Sequence, residues 1–296
     1  EVRQRILCVR ERHTGDGVIN ELIAVDLASG ASKILVGGHD FVSNPRVSPD
    51  GTTLSWVSWG LPDMPWDSAA IWVAPIGPDG DVGAARKLAG GDGVSVFQPM
   101  WAPDGTLVFA ADPDGWWNLH RWDGNGVSVI EAMAAEFGLP QWVFGMRTFD
   151  VRASGAVVAA YTRDGAWRLA CIDDDGLRDI DVPCTDIAAP QWVDDKLVFI
   201  GSSADAASAI LVLDPASGAI ETLWTSLTVD LDPAGLSVPD SIAFETTDGD
   251  TAYGFYYPPC SATTAPPTDE RPPLIVRGHG GPTGATSPSF SLAIQF

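Results

Sequence analysis

A histidine and two glycines late in the chain have the chemistry of an acyl-transfer site. Leu274-Ile275-Val276-Arg277 reads as a short buried strand, and it runs straight into Gly278-His279-Gly280-Gly281-Pro282-Thr283. Glycines let a backbone approach a reacting carbonyl closely, and amides fixed in advance stabilise the charge that develops on its oxygen. His279, Gly280 and Gly281 are therefore the candidates for an oxyanion-stabilising corner. A glycine-rich turn beside a chance histidine is the bland alternative. The attacking group is not among these residues, because no serine in the chain stands in a G-x-S-x-G turn. His13, His39 and His120 fall in strands or turns of a repeat and are not expected to be catalysts.

A second set could recognise a cation. Glu136 sits beside Phe137 and close to Trp142 in a non-repeating segment, and Asp67 follows Met64-Pro65-Trp66 in another. A carboxylate next to aromatic surface can pair with an ammonium group, so Glu136, Asp67 and Trp66 are candidate substrate-binding residues. Their alternatives are a solvated surface carboxylate and a loop folded over its own sheet. The turn Asp112-Pro113-Asp114-Gly115 resembles a calcium loop only superficially, since the spaced acidic ligands and closing Glu are lacking. Cys8, Cys171, Cys184 and Cys260 are widely spaced without a C-x-x-C pair, which argues for buried thiols in a reducing compartment rather than a disulfide frame or zinc site. No metal and no cofactor is expected.

The elements that must position these residues repeat. In Gln98–Glu131 an aromatic precedes a Pro-Asp-Gly turn, and three apolar runs follow, separated by Gly-containing connections. Short runs of this kind read as antiparallel strands joined by hairpins. The order recurs around Gly51, Gly155 and Lys196, at a spacing of about 40 to 50 residues with four strands per repeat, which is the signature of propeller blades. Trp101, Trp116, Trp117 and Trp122 are expected to fill the spaces between blades. Blades are placed at about 1–43 (partial), 44–97, 98–145, 146–189 and 190–224, with a linker at 225–240. Residues 3–36 supply only three strands, matching the second to fourth of a blade. Either a strand from later in the chain completes this blade or the chain is cut upstream; the second reading is preferred. Glu131–Trp142, between two blades, has partly helical propensity ended by glycine and proline.

Composition narrows the function. With 17 Lys and Arg against 39 Asp and Glu, the formal charge is −22, which argues against binding a nucleic-acid backbone. No apolar run approaches a membrane span. The chain opens on Glu1 with no signal segment, as an excerpt from a longer protein would.

Taken in order, Met64-Pro65-Trp66-Asp67, the Pro-Asp-Gly blades with Trp116-Trp117-Asn118-Leu119, Glu136-Phe137-Gly138 to Trp142, Ser241-Ile242-Ala243-Phe244, Ala252-Tyr253-Gly254-Phe255-Tyr256-Tyr257-Pro258 and His279-Gly280-Gly281-Pro282-Thr283 resemble the prolyl oligopeptidase family of serine peptidases, particularly its acylaminoacyl-peptidase and aminopeptidase-like branch. The resemblance implies an all-β propeller of four-stranded blades, about five of them in an incomplete ring, followed from 241 to 296 by the first strands of an α/β-hydrolase domain. It implies a cytoplasmic hydrolase of short peptides that works through a serine ester, the propeller gating access. His279 occupies the place where some relatives carry an oxyanion-stabilising tyrosine, and the triad would lie beyond Phe296. The implied partners are short peptide substrates, with no nucleic acid and no membrane; an oligomer is compatible with the sequence. Alternatives are a non-enzymatic propeller that binds or scaffolds, and a propeller-capped esterase or amide hydrolase.

Overall fold

Strand-forming runs broken by Asp-Gly turns become successive antiparallel sheets in the computed structural model, which describes residues 4–228, 231–264, 267, 269, 271–281 and 283–296. The first sheet holds three strands, β1 (Arg5–Thr14), β2 (Gly17–Asp26) and β3 (Ser32–His39), in that order. Next comes a four-stranded meander of β4 (Phe41–Val47), β5 (Thr53–Trp59), β6 (Ala70–Pro75) and β7 (Arg86–Gly90). The third contains β8 (Val96–Trp101), β9 (Leu107–Ala111), β10 (Asn118–Trp122) and β11 (Val127–Glu131). The fourth contains β12 (Phe149–Val151), β13 (Val157–Arg163), β14 (Ala166–Asp173) and β15 (Gly176–Ile180). The fifth contains β16 (Asp186–Val193), β17 (Lys196–Ser202), β18 (Ala209–Leu213) and β19 (Ile220–Thr225). A single 3-10 turn (Pro233–Gly235), a hairpin of β20 (Asp240–Glu245) with β21 (Thr251–Tyr256), and a four-residue helix, α1 (Leu292–Gln295), complete the regular structure among the described residues. Each sheet from the second to the fifth is one sequence repeat folded as an up-and-down blade, so the propeller-type all-β class read from the sequence is the one observed. Two compact units are formed, residues 1–161 with 171–178, and residues 162–170 with 179–296.

A recurring irregularity marks the first strand of three blades. Asn44, Gln98 and Ala189 each precede a proline and each has a positive φ, of 49°, 50° and 50°. Pairing with the next strand slips at these places, between Ser43 and Arg46, Phe97 and Met100, and Ala188 and Gln191. Proline cannot donate to a ladder, so a bulge is where a strand tolerates it, and the left-handed residue before it supplies the kink. In the first unit the side chains at two bulges reach out of their own sheet. Gln98 accepts from the Thr148 amide at 2.7 Å and donates to the Phe149 carbonyl at 2.7 Å, standing in for a missing strand-to-strand pair. Asn44 donates to Gln141 Oε1 at 2.7 Å, and Gln141 donates to Ser43 Oγ at 3.0 Å.

Burial in the first unit is concentrated between sheets. Leu22, Val42, Leu54, Trp56 and Ala74 form one apolar cluster, and Val57, Ile71, Val73, Leu107, Phe109 and Trp122 belong to the next. A single four-stranded sheet would leave such side chains wet on one face; stacking against a neighbour removes them from water. Trp101 and Trp122 meet edge-on with ring centres 5.9 Å apart, and Arg86 lies 5.0 Å over the Trp122 ring. Trp116, expected in the same role, is 43% exposed. It sits directly after the Asp112–Gly115 turn, outside the strand alternation that turns Leu119 inward.

The repeat turns explain much of the acidity. Asp50 accepts from the Ser48 hydroxyl at 2.6 Å and the Thr52 amide at 3.0 Å, Asp104 from the Thr106 amide at 2.9 Å, and Asp123 from the Asn125 and Gly126 amides at 2.8 and 3.0 Å. Gly51 and Gly105, with φ of 74° and 89°, complete turns that a β-carbon would strain. Of the four cysteines, all free, Cys260 is exposed and the other three are half-buried, so they are less enclosed than expected.

Two outcomes follow from this packing. Trp56 is fully buried with no partner for its indole N–H among the described residues, whereas Trp72 Nε1 donates to Ser58 Oγ at 2.8 Å. An unmade buried hydrogen bond costs about 1–3 kcal/mol, so in urea denaturation Trp56→Phe should cost at least about 1 kcal/mol less than Trp72→Phe. The Asp50 carboxyl is held below the ordinary aspartate range by the Ser48 hydroxyl first and then by Thr52. A lowered folded value gives stability that is complete above the unfolded value near 4 and lost as pH falls through the lower folded one. Asp50→Asn should therefore be less stable than the parent chain at pH 6, with the gap closing below about pH 4.

Candidate functional site

Two non-repeating loops of the first unit meet through an aromatic pair, and each carries a candidate carboxylate. The loop Gly60–Asp67 joins β5 to β6 and buries Pro65, leaving Trp66 half-buried. Its anchor is Ser95, fully buried, whose Oγ donates to the Pro65 carbonyl at 2.6 Å. Asp67 is exposed, and its Oδ2 accepts from the Met64 amide at 3.0 Å, closing its own turn. The Trp66 ring packs on Trp142 with centres 4.3 Å apart. The segment Trp142-Val143-Phe144 is open to solvent, at 59, 63 and 60% exposure, so the pair stands at the edge of an apolar patch.

Glu136 belongs to the other loop, where the expected helical turn is absent. The side-chain amide of Asn118 clasps Met133, donating to its carbonyl at 3.1 Å and accepting from its amide at 3.2 Å, and the Phe137 amide donates to the Trp117 carbonyl at 2.7 Å. These bonds take the backbone groups that a helix would use, and the segment is held against the start of β10 without forming a helix. Glu136 is half-buried; its Oε2 accepts from the Trp117 amide at 3.0 Å, while Oε1 has no hydrogen-bond partner among the described residues. Burial pushes the Glu136 carboxyl above the ordinary range and the charge of Asp112 adds to this, the Trp117 amide opposing both. Asp112 also holds this arrangement together. Its Oδ1 accepts from the Ser95 amide at 2.6 Å and its Oδ2 from Trp117 Nε1 at 3.0 Å.

Of the residues singled out in this region, Trp66 and Glu136 are thus tied into one network and Asp67 serves its own turn. Sequence reasoning missed Ser95, Asp112, Trp117 and Trp142. Asp112 looked like one more hairpin aspartate, and its partner Ser95 lies 17 residues away, where no short motif reaches.

The glycine segment lies in the second unit. His279, Gly280 and Gly281 are exposed, Gly281 has a φ of 74°, and Pro282 lies outside the described residues. A β-carbon on Gly284 would stand 2.3 Å from the Gly280 carbonyl oxygen, so the chain doubles back tightly there. The expected buried strand before it is not formed: Leu274, Ile275 and Val276 are 75, 90 and 84% exposed, and among the described residues none of them pairs with a strand. The reason is that a lone apolar run makes a strand only against hydrogen-bonding neighbours, and the described chain offers it none. Beyond the loop, Ser287 Oγ donates to Asp186 Oδ2 at 2.8 Å and Thr185 Oγ1 donates to the Pro288 carbonyl at 3.1 Å.

The three histidines set aside earlier have structural surroundings. His13 meets Glu11, His39 packs on Trp72 at 5.4 Å, and His120 stacks on Phe109 at 5.7 Å. Among the described residues no group of three His, Cys, Asp or Glu could hold a metal, and no helix is long and apolar enough to cross a membrane.

The tightest contact at this site is made by a glycine. A β-carbon on Gly138 would lie 1.5 Å from Trp117 Cε3, whereas one on Gly280 would meet nothing within 4 Å. Gly138→Ala should cost about 1–3 kcal/mol in urea denaturation through overpacking and alter the near-ultraviolet circular dichroism of Trp117, while Gly280→Ala should stay within about 0.5 kcal/mol.

No family model matches the chain, and no curated protein matches it. Solved structures do. Two crystal structures of puromycin hydrolase, one of them a mutant complexed with PGG, share 33% identity with it at a TM-score of 0.92, covering 99% of this chain and 47% of theirs. A puromycin-hydrolyzing peptidase of Mycobacterium tuberculosis shares 29% identity at a TM-score of 0.89, with 97% of this chain and 46% of that one covered. A prolyl endopeptidase structure at 16% identity and a TM-score of 0.61 is similar in fold alone. The chain spans about half the length of these solved relatives. Its sequence matches puromycin hydrolase, and its blade architecture matches the N-terminal propeller of a prolyl oligopeptidase family peptidase.

Proposed function

We propose that this chain is the gating propeller of a serine peptidase, with residues 241–296 beginning its α/β-hydrolase domain. The observation that carries the reading is the match to puromycin hydrolase at 33% identity along 99% of the chain. The enzyme acts on short peptides or related amides at their amino end, by acyl transfer through a serine ester. His279 and the amides of Gly280 and Gly281 contribute to the oxyanion hole. Since no serine of the chain stands in a nucleophile elbow, the attacking Ser and its Asp and His partners belong to the other half of the enzyme. Residues 1–296 by themselves should not hydrolyse an aminoacyl anilide, and in the full-length enzyme a fluorophosphonate should label one serine outside them.

Glu136 is assigned to the substrate's ammonium group in preference to Asp67. A half-buried carboxylate with one uncommitted oxygen interacts more strongly with a cation than an exposed one already bonded within its turn. Trp66 and Trp142 supply apolar surface in the loop that Ser95, Asp112 and Trp117 tie to Glu136. The charge that gates entry is therefore negative, and free-amine substrates are favoured over acylated ones. Puromycin, for which the solved relatives are named, is a suitable first substrate beside an aminoacyl anilide.

In the full-length enzyme, Glu136→Gln should raise KM for a free-amine anilide about tenfold and Asp67→Asn less than about twofold. Because the Glu136 carboxyl titrates above the ordinary range, affinity for the free amine should fall on acidification before an ordinary carboxylate would protonate. Unchanged KM in Glu136→Gln would remove this residue from the site.

A further inference from the structure

Aspartates of the repeat turns bond within their own turns, as Asp50, Asp104 and Asp123 do, but the bonds of Asp112 leave its turn in two directions. We propose that Asp112 is the positioning residue of the ammonium site, one carboxylate oxygen fixing the Trp66 loop through Ser95 and the other fixing Glu136 through Trp117. This rests on the reading of Glu136 as the partner of the substrate's amino group.

The geometry runs as a continuous relay. Ser95 gives its amide to Asp112 Oδ1 and its hydroxyl to the Pro65 carbonyl, both at 2.6 Å, so the residue before Trp66 is set by the position of Asp112. Trp117 gives its indole N–H to Asp112 Oδ2 and its amide to Glu136 Oε2, both at 3.0 Å. The indole has little room to turn, since Phe97 packs on it at 5.7 Å and Gly138 lies against its ring. With Oε2 held by Trp117, Glu136 Oε1 is left for a ligand. Two N–H donors converge on Asp112 from opposite loops, and a carboxylate accepts both, whereas an asparagine can accept only with its single oxygen. Asp112 also places a second negative charge near Glu136, to which no cation is paired among the described residues, an arrangement that an incoming ammonium group would relieve.

The test is steady-state kinetics of the full-length enzyme with a free-amine aminoacyl anilide across about pH 4.5 to 8. Asp112→Asn should raise KM about tenfold while kcat changes less than about threefold, and should move the acid limb of 1/KM to lower pH because the neighbouring charge is gone. Trp117→Phe removes the indole donor, together with part of the ring that lies against Gly138, and leaves the backbone amide that holds Glu136, so a rise of about threefold is expected; it decides the matter should Asp112→Asn fold poorly. If Glu136→Gln raises KM but neither Asp112→Asn nor Trp117→Phe does, the role given to Asp112 is wrong. A fall in kcat with the acid limb unmoved would make Asp112 a fold-stabilising residue only, and that also overturns the proposal. If Glu136→Gln leaves KM unchanged, the underlying assignment fails and Asp112 loses its role with it.

Discussion

Water exclusion between neighbouring sheets is the constraint on which the first unit depends. A four-stranded meander has two faces and too few residues to enclose either, so each sheet is stable only when its apolar side chains interlock with those of the next. Trp56, Trp101 and Trp122, with Leu54, Phe109 and Val57, do this between the first three sheets. Because the strands themselves are short, the loops between them are free to vary, and that freedom is where recognition chemistry can be placed.

Only two of those loops depart from the repeat around the Trp66–Trp142 pair, and both are fastened by polar groups that the interlocked sheets make rigid. Ser95 and Asp112 flank the paired ends of β8 and β9, so their positions are set by the ladder rather than by the loops. A carboxylate placed this way keeps its geometry without a helix or a metal to orient it. The acidic composition then has two separate origins. Many aspartates close hairpin turns, where hydroxyls and backbone amides hold them ionised, while Asp112 and Glu136 act across loops, and the Glu136 carboxyl is pushed up by burial and by the charge of Asp112.

Legibility followed the range of the interactions. Repeat spacing, strand number per blade and the Pro-Asp-Gly turns are local, and the blades appear where those signals stand. The X-Pro bulges at Asn44, Gln98 and Ala189 were in plain view as dipeptides, yet their effect on register required knowing that a second strand lies alongside. Helical propensity in Glu131–Trp142 gave way because Asn118 and Trp117 captured the backbone first. An apolar run at Leu274–Val276 reads as a buried strand, but a strand is defined by its neighbours, and the described chain gives it none.

By itself, then, the sequence determined the all-β blade architecture and the candidacy of Glu136, Trp66 and the His279–Gly281 segment, because each depends on residue type and short spacing. Tertiary structure alone decided that Asp67 is occupied with its own turn, that Glu136 keeps one oxygen uncommitted, and that Asp112 joins the two loops. The reason is physical: a carboxylate's role is set by which donors reach its oxygens and how much water remains around them, and both are fixed by residues far away along the chain.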